Sequence, residues 1–312
     1  MTQRRERIRW RDLHGIVLLD KPLGLSSNQA LQAVRRLLRA AKGGHAGALD
    51  PLATGLLPLC FGEATKLAGG LLGSRKAYAA ECKLGITTET DDGEGDVVRR
   101  RPVPALDDAA IEAALAPLRG RIAQVPPMYS ALKRDGEPLY VKARRGESVD
   151  VAAREVEVHQ LVLVSRSDDT LRLHVECGSG TYVRSLARDL GEALGCGAHL
   201  TALRRLWVDP FREPHMVTLE ALQAAAGQGD DALLSLLLPV SAGLVGVPEV
   251  RLDEAQGMAI ARGQSIHLDD ATIPPGRCAA YASDGALLAL IELDAQRKTR
   301  ILRGFNLPPQ GE

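Results

Sequence analysis

The run Gly44-His45-Ala46-Gly47-Ala48-Leu49-Asp50-Pro51-Leu52-Ala53-Thr54-Gly55 narrows the folding options of this chain more than any other stretch. Gly44, Gly47 and Gly55, together with Pro51, argue against both a helix and a central strand. The run therefore reads as a loop whose backbone packs close to a neighbour. Pro51 biases Asp50 toward an extended conformation and has no N–H to donate. The Asp50 carboxylate is then presented outward rather than folded into a helix cap. His45 adds an imidazole before it, and Thr54 a hydroxyl after it. On residue types alone, a surface turn with Asp as turn former accounts for the run as well as a functional loop does.

A chain of 312 residues is long enough for one large domain and one small one. Aromatic residues make up only 3% of it, so the core must be mostly Leu, Val and Ala, and each Tyr stands out as a surface for base stacking. The net charge is zero, but its distribution is uneven. Residues 1–80 hold thirteen Lys and Arg against five Asp and Glu, whereas residues 216–312 hold seven against twelve. Positive charge thus gathers around the Asp50 run, as a polyanion-binding face requires. A solvated basic arm from Arg4 to Arg11 is the simpler alternative. The five cysteines are widely spaced with no Cys-x-x-Cys pair, which suits a reducing cytoplasm and argues against zinc or a disulfide framework. No apolar run approaches membrane-spanning length.

Residues 1–12 read as a flexible basic arm. Residues 15–19 form a buried strand, and Ser26 or Ser27 caps a helix with Ala30, Leu31, Val34, Leu37, Leu38 and Ala41 on one face. Residues 56–61 read as a short strand and residues 62–66 as the opening of a helix. Over 76–84 the pattern alternates, placing Tyr78, Ala80, Cys82 and Leu84 together. The acidic run 89–96 lacks the spacing of a calcium loop and reads as a solvated connection. Asp107 or Asp108 caps a helix with Ile111, Leu115 and Leu118 inward. Proline, glycine and five basic residues over 124–145 indicate a mobile cationic loop. Residues 156–164 and 171–177 pair around a turn at 165–169. A helix follows Gly178-Ser179-Gly180, then a loop and strand over 197–208, then a helical stretch from Thr218 to about 238. Arg184 lies in the first turn of its helix, against the preference of the helix dipole, so a carboxylate partner is expected, and Asp50 is the candidate. From 245 onward short strands alternate with turns, as in a small β-rich module.

The Asp50 run resembles the active-site motif of the bacterial tRNA pseudouridine-55 synthases, the TruB family, in which the aspartate is the catalytic residue. Asp20-Lys21-Pro22-x-Gly24-x-Ser26-Ser27 is similar to a second motif of that family, and Lys76-x-Tyr78 with Leu84-Gly85 and Thr88-Glu89-Thr90-Asp91-Asp92 to a third. The similarity extends over most of residues 14–210. It implies an α+β catalytic domain, residues 13–244, with a central mixed or antiparallel sheet. An RNA-binding insertion at about 124–152 and a PUA-like RNA-binding domain at 245–312 would complete it. It further implies that Arg184 pairs with Asp50 and that Tyr78 stacks on the target base. Leu203 would line the base pocket, Tyr182 contact the base edge or ribose, and His45 hold the flipped nucleotide or a phosphate. Lys21, Pro22 and Thr54 would support the catalytic loop.

The implied reaction breaks a glycosidic bond, rotates the uracil and rejoins it through carbon, with no cofactor and no metal. The partner is tRNA, through its T-arm stem-loop, and the enzyme is expected to be a cytoplasmic monomer with no membrane attachment. A glycosidase would need two facing carboxylates. A non-catalytic tRNA-binding or RNA-folding protein is the stronger alternative, since it could keep Tyr78 and the basic face without requiring Asp50.

Overall fold

The computed structural model of the protein describes residues 9–69, 74–130, 132–134, 136–147 and 150–308. Its centre is a nine-stranded mixed sheet. The strands follow the order Val217–Thr218, Gly15–Lys21, Ala53–Phe61, Ala198–Val208, Arg75–Leu84, Thr170–Gly178, Arg154–Ser167, Gly120–Gln124, and the short strand Gly43–His45 also lies on Ala53–Phe61. Two of these contacts are parallel, Gly15–Lys21 with Val217–Thr218 and Ala53–Phe61 with Ala198–Val208. The other pairings in the sheet are antiparallel. The α+β class with a mixed central sheet and a β-rich C-terminal domain is what the sequence led us to expect.

Strand Ala53–Phe61 forks. Its first residues, Ala53, Thr54 and Gly55, pair with Leu203, Arg204 and Arg205, while Leu59, Cys60 and Phe61 pair with His45, Gly44 and Gly43. The loop 46–52, which carries Asp50, joins strand Gly43–His45 to the start of Ala53–Phe61. The run 44–55 is therefore a loop only in its middle. Both ends are drawn into the sheet, and at the second end Gly55 allows the close approach of the Arg205 backbone.

Strand Gly15–Lys21 alternates between two cores. Val17 and Leu19 face one side, joined by Leu57, Leu59 and Cys82 and covered by helices Ser27–Leu38 and Val183–Ala193 through Leu31, Val34, Leu186 and Leu190. Ile16 and Leu18 face the other, with Leu56 and Cys60, against Ala279, Leu287, Leu290 and Phe305 from the C-terminal sheet. Each such fully buried Leu or Ile contributes about 1.5–3 kcal/mol. The first helix starts from a capping box in which Ser26 and Gln29 satisfy each other's backbone N–H groups. The C-terminal sheet runs Glu249–Arg251, Gly276–Tyr281, Leu287–Leu293, Thr299–Gly304 beside helix Glu254–Ala261.

Several local expectations change. Residues 62–66 close into a 3-10 turn, Gly62–Lys66. The helical stretch after Thr218 breaks at Gly229, whose φ of +125° ends Leu219–Gln228 before Asp230–Leu234 begins. The turn at 165–169 shortens because strand Arg154–Ser167 continues to pair. The basic arm at residues 1–8 lies outside the described residues. Its continuation is docked: the Arg35 guanidinium lies 4.5 Å over the Trp10 ring, and Arg11 reaches Asp230 at 2.7 Å. Among the described residues no helix is long and apolar enough to cross a membrane.

Gly55 makes a test of the fork. Its φ is +91°, and a Cβ there would stand 2.2 Å from the Arg205 carbonyl oxygen. Gly24 has a similar φ of +83° but open space around it. Gly55→Ala is expected to lower unfolding stability by about 3 kcal/mol through backbone strain plus overpacking, and Gly24→Ala by about 1 kcal/mol from strain alone. Urea titration of both variants measures the difference.

Candidate active site

The loop 46–52 is fixed almost entirely through its backbone. Ala46 N–H donates to the Pro58 carbonyl at 3.0 Å. The Ser27 hydroxyl accepts from Leu49 N–H at 2.7 Å and donates to the Leu49 carbonyl at 2.9 Å. Ala53 N–H closes a turn on the Asp50 carbonyl, and Gly24 N–H donates to the Pro51 carbonyl. The Lys21 ammonium, buried beneath, donates to the carbonyls of Pro22, Leu25 and Pro51. Burial lowers the Lys21 pKa to about 8, while Asp50 and Glu94 pull it upward. With the backbone tied at these points, the Asp50 side chain alone projects into a cleft.

Arg184 meets it there. Arg184 opens helix Val183–Ala193, is 5% exposed, and places Nη2 3.0 Å from Asp50 Oδ2 and Nη1 3.3 Å from Asp92 Oδ2. It also donates to the carbonyls of Thr90 and Tyr129. The Asp50 carboxyl is open at the cleft mouth, yet the walls keep bulk water from most of it. This desolvation raises its pKa above the ordinary value, Arg184 pulls it back, and the negative charge of Asp92 raises it again. A cation beside Asp50 was expected to hold it ionised; Arg184 acts in that direction, and burial outweighs it.

The cleft has a volume of 250 Å³ and is lined by Gly47, Asp50, Lys76, Tyr78, Tyr182, Arg184 and Leu203, among others. Tyr78 and Leu203 come from neighbouring strands, the first two residues from Lys76 on the same face. Tyr182 is the N-cap residue of the helix carrying Arg184, and its backbone N–H and carbonyl are both held by the Gln124 side chain, at 2.8 and 3.2 Å. The segment 124–130 is therefore not loose where it meets the site. Ser185 and Arg188 also bind the Val125 carbonyl.

Other singled-out residues stand elsewhere. His45 pairs with Leu59 and does not line the cleft; burial and the nearby Arg205 lower its pKa, favouring the neutral ring. Thr54 bonds the Leu203 carbonyl and faces a neighbouring groove on the sheet. Pro22 contributes its carbonyl to Lys21. A wider cavity of 780 Å³ in the C-terminal sheet contains none of the candidate site residues.

Three residues of the site were missed by sequence reasoning. Asp92 belongs to the run read as a solvated connection, yet it is 2% exposed, and its neighbour Asp91 pairs with Arg188 at 3.0 Å. Asp91 and Asp92 are thus counterparts to the arginines of the helix, while Glu89, Glu94 and Asp96 of the same run are exposed. Arg205 is 1% exposed, donates from Nε to Leu56 O at 2.7 Å and from Nη2 to Gly47 O at 3.0 Å, and reaches the Tyr78 hydroxyl. It fills the fork of the sheet. The doubled arginine in a strand whose apolar residues alternate was the available signal. Gln124 gave none.

Chemically, the cleft offers one carboxylate, an arginine that fixes it, an aromatic wall and an apolar wall. That is suited to a flat, polar ring attached to a sugar. No group of His, Cys, Asp and Glu among the described residues is arranged to hold a metal.

Comparison with known proteins adds the family context. Residues 35–183 match the model of the TruB family pseudouridylate synthase N-terminal domain, and residues 184–245 that of the tRNA pseudouridylate synthase B C-terminal domain. The tRNA pseudouridine synthase B of Xanthomonas campestris pv. campestris (strain B100) is 61% identical over 97% of both chains. That of Burkholderia mallei (strain ATCC 23344) is 51% identical over 92% of both. A solved H/ACA RNP bound to a substrate RNA containing 2'-deoxyuridine has a chain of the same fold. It aligns with TM-score 0.71 and 21% identity over 95% of this chain and 86% of that one.

Because Asp92 raises the Asp50 pKa through its charge, Asp92→Asn is expected to lower it while leaving Arg184 bound to Asp50. Titration of the Asp50 carboxyl carbon by NMR reads this directly. An upward shift would mean that Arg184 had let go of Asp50.

Proposed function

The chain belongs to the TruB family of tRNA pseudouridine synthases, which are isomerases, and we propose that its own substrate is uridine-55 in the T-arm of tRNA, with Asp50 as the reacting carboxylate. The observation that carries this reading is the Asp50–Arg184 pair at 3.0 Å in a cleft walled by Tyr78 and Leu203.

A uridine inside a folded RNA loop must leave its stack before a side chain can reach the sugar. Tyr78 offers the replacement stacking surface and Leu203 the opposite apolar wall. Tyr182 stands at the mouth, where the ribose would lie. The reaction then breaks the bond between ribose C1′ and uracil N1. The ring turns, a bond forms between C1′ and C5, the C5 proton leaves, and N1 gains a proton, so no net electrons move. An ionised Asp50 can act as nucleophile or as base toward the ribose, and in either role its raised pKa strengthens it. Arg184 aims the carboxylate and keeps it charged. Holding the detached ring between Tyr78 and Leu203 keeps the rejoining step intramolecular.

In this reading residues 13–244 form the catalytic domain, and the insertion at about 124–152 grips the T-arm stem. Residues 245–312 form a PUA-like module that extends the RNA contact. His45, on the sheet edge beside the loop, would meet the RNA once the target nucleotide has left its stack. The enzyme acts in the cytoplasm as a monomer.

Incubation with an unmodified tRNA transcript carrying C5-tritiated uridine tests the proposal. Wild-type protein is expected to release tritium and to place the product at position 55. Asp50→Asn should bind the transcript as wild type does and lose about 10⁴-fold or more in rate, the scale on which removal of a nucleophile acts. Tritium release by the mutant at near wild-type rate would remove Asp50 from the chemistry.

A further inference from the structure

Lys76 has no role in the account so far, and its surroundings call for one. It sits near the start of strand Arg75–Leu84, two residues before Tyr78 on the same face, half-buried, and lines the same cleft as Asp50. Several other cations on the sheet have acidic partners. Arg75 meets Glu176 at 2.6 Å, Lys83 meets Asp169 at 2.6 Å, and Arg204 meets Asp20 at 2.7 Å. Among the described residues Lys76 has no carboxylate within ion-pairing distance and no hydrogen bond from its ammonium. Its electrostatic neighbours are the buried guanidinium of Arg205, a second cation without an acid, and the Cys177 thiol, held neutral at a pKa of about 11 by burial.

The cleft is thus divided electrostatically. At one end Arg184 is engaged by Asp50 and Asp92. Lys21 leans on Asp50 and Glu94. Away from these acids Lys76 lines the cleft with no carboxylate beside it, and its charged neighbour Arg205 is enclosed by protein behind the lining. A half-buried ammonium without an anion is unfavourable in the free protein. The pocket is complementary to a ligand that brings a negative charge to that end.

We infer that Lys76 is a further substrate-binding residue, whose ammonium takes a phosphodiester oxygen flanking the nucleotide held in the cleft. RNA supplies one such anion per nucleotide, and an ammonium binds it as a point charge. The inference rests on the isomerase reading for the identity of the nucleotide. The need for an anion at Lys76 stands on the structure alone.

The test is equilibrium binding of an unmodified tRNA transcript across a series of potassium chloride concentrations, with wild type, Lys76→Met, Lys76→Gln and Lys76→Arg. Removing one phosphate contact lowers the slope of log affinity against log salt by about one. Lys76→Met and Lys76→Gln should show that loss and bind about tenfold more weakly at low salt, with Lys76→Arg keeping the wild-type slope. Because Lys76 holds no protein partner, none of the three should lower the thermal unfolding midpoint. A wild-type slope in Lys76→Met and Lys76→Gln overturns the inference, even with activity lost, because the amine would then serve an uncharged group such as a uracil carbonyl. A wild-type protein that binds but releases no tritium sinks the isomerase reading, and the salt slopes still decide whether Lys76 meets a phosphate.

Discussion

Arg184 ties together four segments that are distant in the chain. Its two terminal nitrogens meet Asp50 from the loop on the fork and Asp92 from the acidic turn. They also meet the carbonyls of Thr90 and of Tyr129, the latter at the root of the insertion. A guanidinium has four terminal N–H groups in a fixed plane, and these contacts use that capacity. A lysine, with three rotatable donors on one atom, could not hold the same four groups in one geometry. Such a buried ion cluster is a poor source of net stability, since desolvation offsets much of the attraction. Its value lies in orientation. Helix, loop, turn and insertion root must all be in register before the carboxylate points into the cleft.

Asp92 gives the cluster its balance. Burial is the largest influence on the Asp50 carboxyl and raises its pKa, and Arg184 opposes it. Asp92 shares the guanidinium and adds its own negative charge, a smaller push in the same direction as burial. The outcome is an acid that is aimed by its partner without being quenched by it. The same division explains why Asp92 is almost completely enclosed whereas Asp50 opens to the cleft.

The parts of this arrangement that could be read from the sequence are those where a residue breaks a local rule. Asp50 stood out because glycines and a proline surround it, and Arg184 because a cation opens a helix. Helix and strand periodicity located most elements, since burial on one face writes itself into the pattern. Asp92 left no such mark, because an acidic run reads as solvated unless its partners are known, and its partners come from a helix more than 90 residues away. Gln124 is equally silent, because a glutamine that holds another residue's backbone has no pattern of its own. The fork in strand Ala53–Phe61 was hidden by its glycines, which signal close approach without saying to what. Gly55 approaches the backbone of Arg205, a contact made across 150 residues of chain.

Charge shows the same limit in a form that bears on RNA binding. Basic residues are in excess before position 80, but several of the side chains responsible are engaged inside the protein. Arg11 and Arg39 both bind Asp230, and Arg35 donates to the carbonyls of Ala40 and Ala41. Lys76 also lies in that segment, and its charge is left over at the cleft, where the neighbouring acids are already taken. What attracts a polyanion is the cation that remains without a partner, and the tertiary structure decides which one that is. A chain with equal numbers of acids and bases can therefore present a local positive field wherever a cation is left without an acid, as Lys76 is.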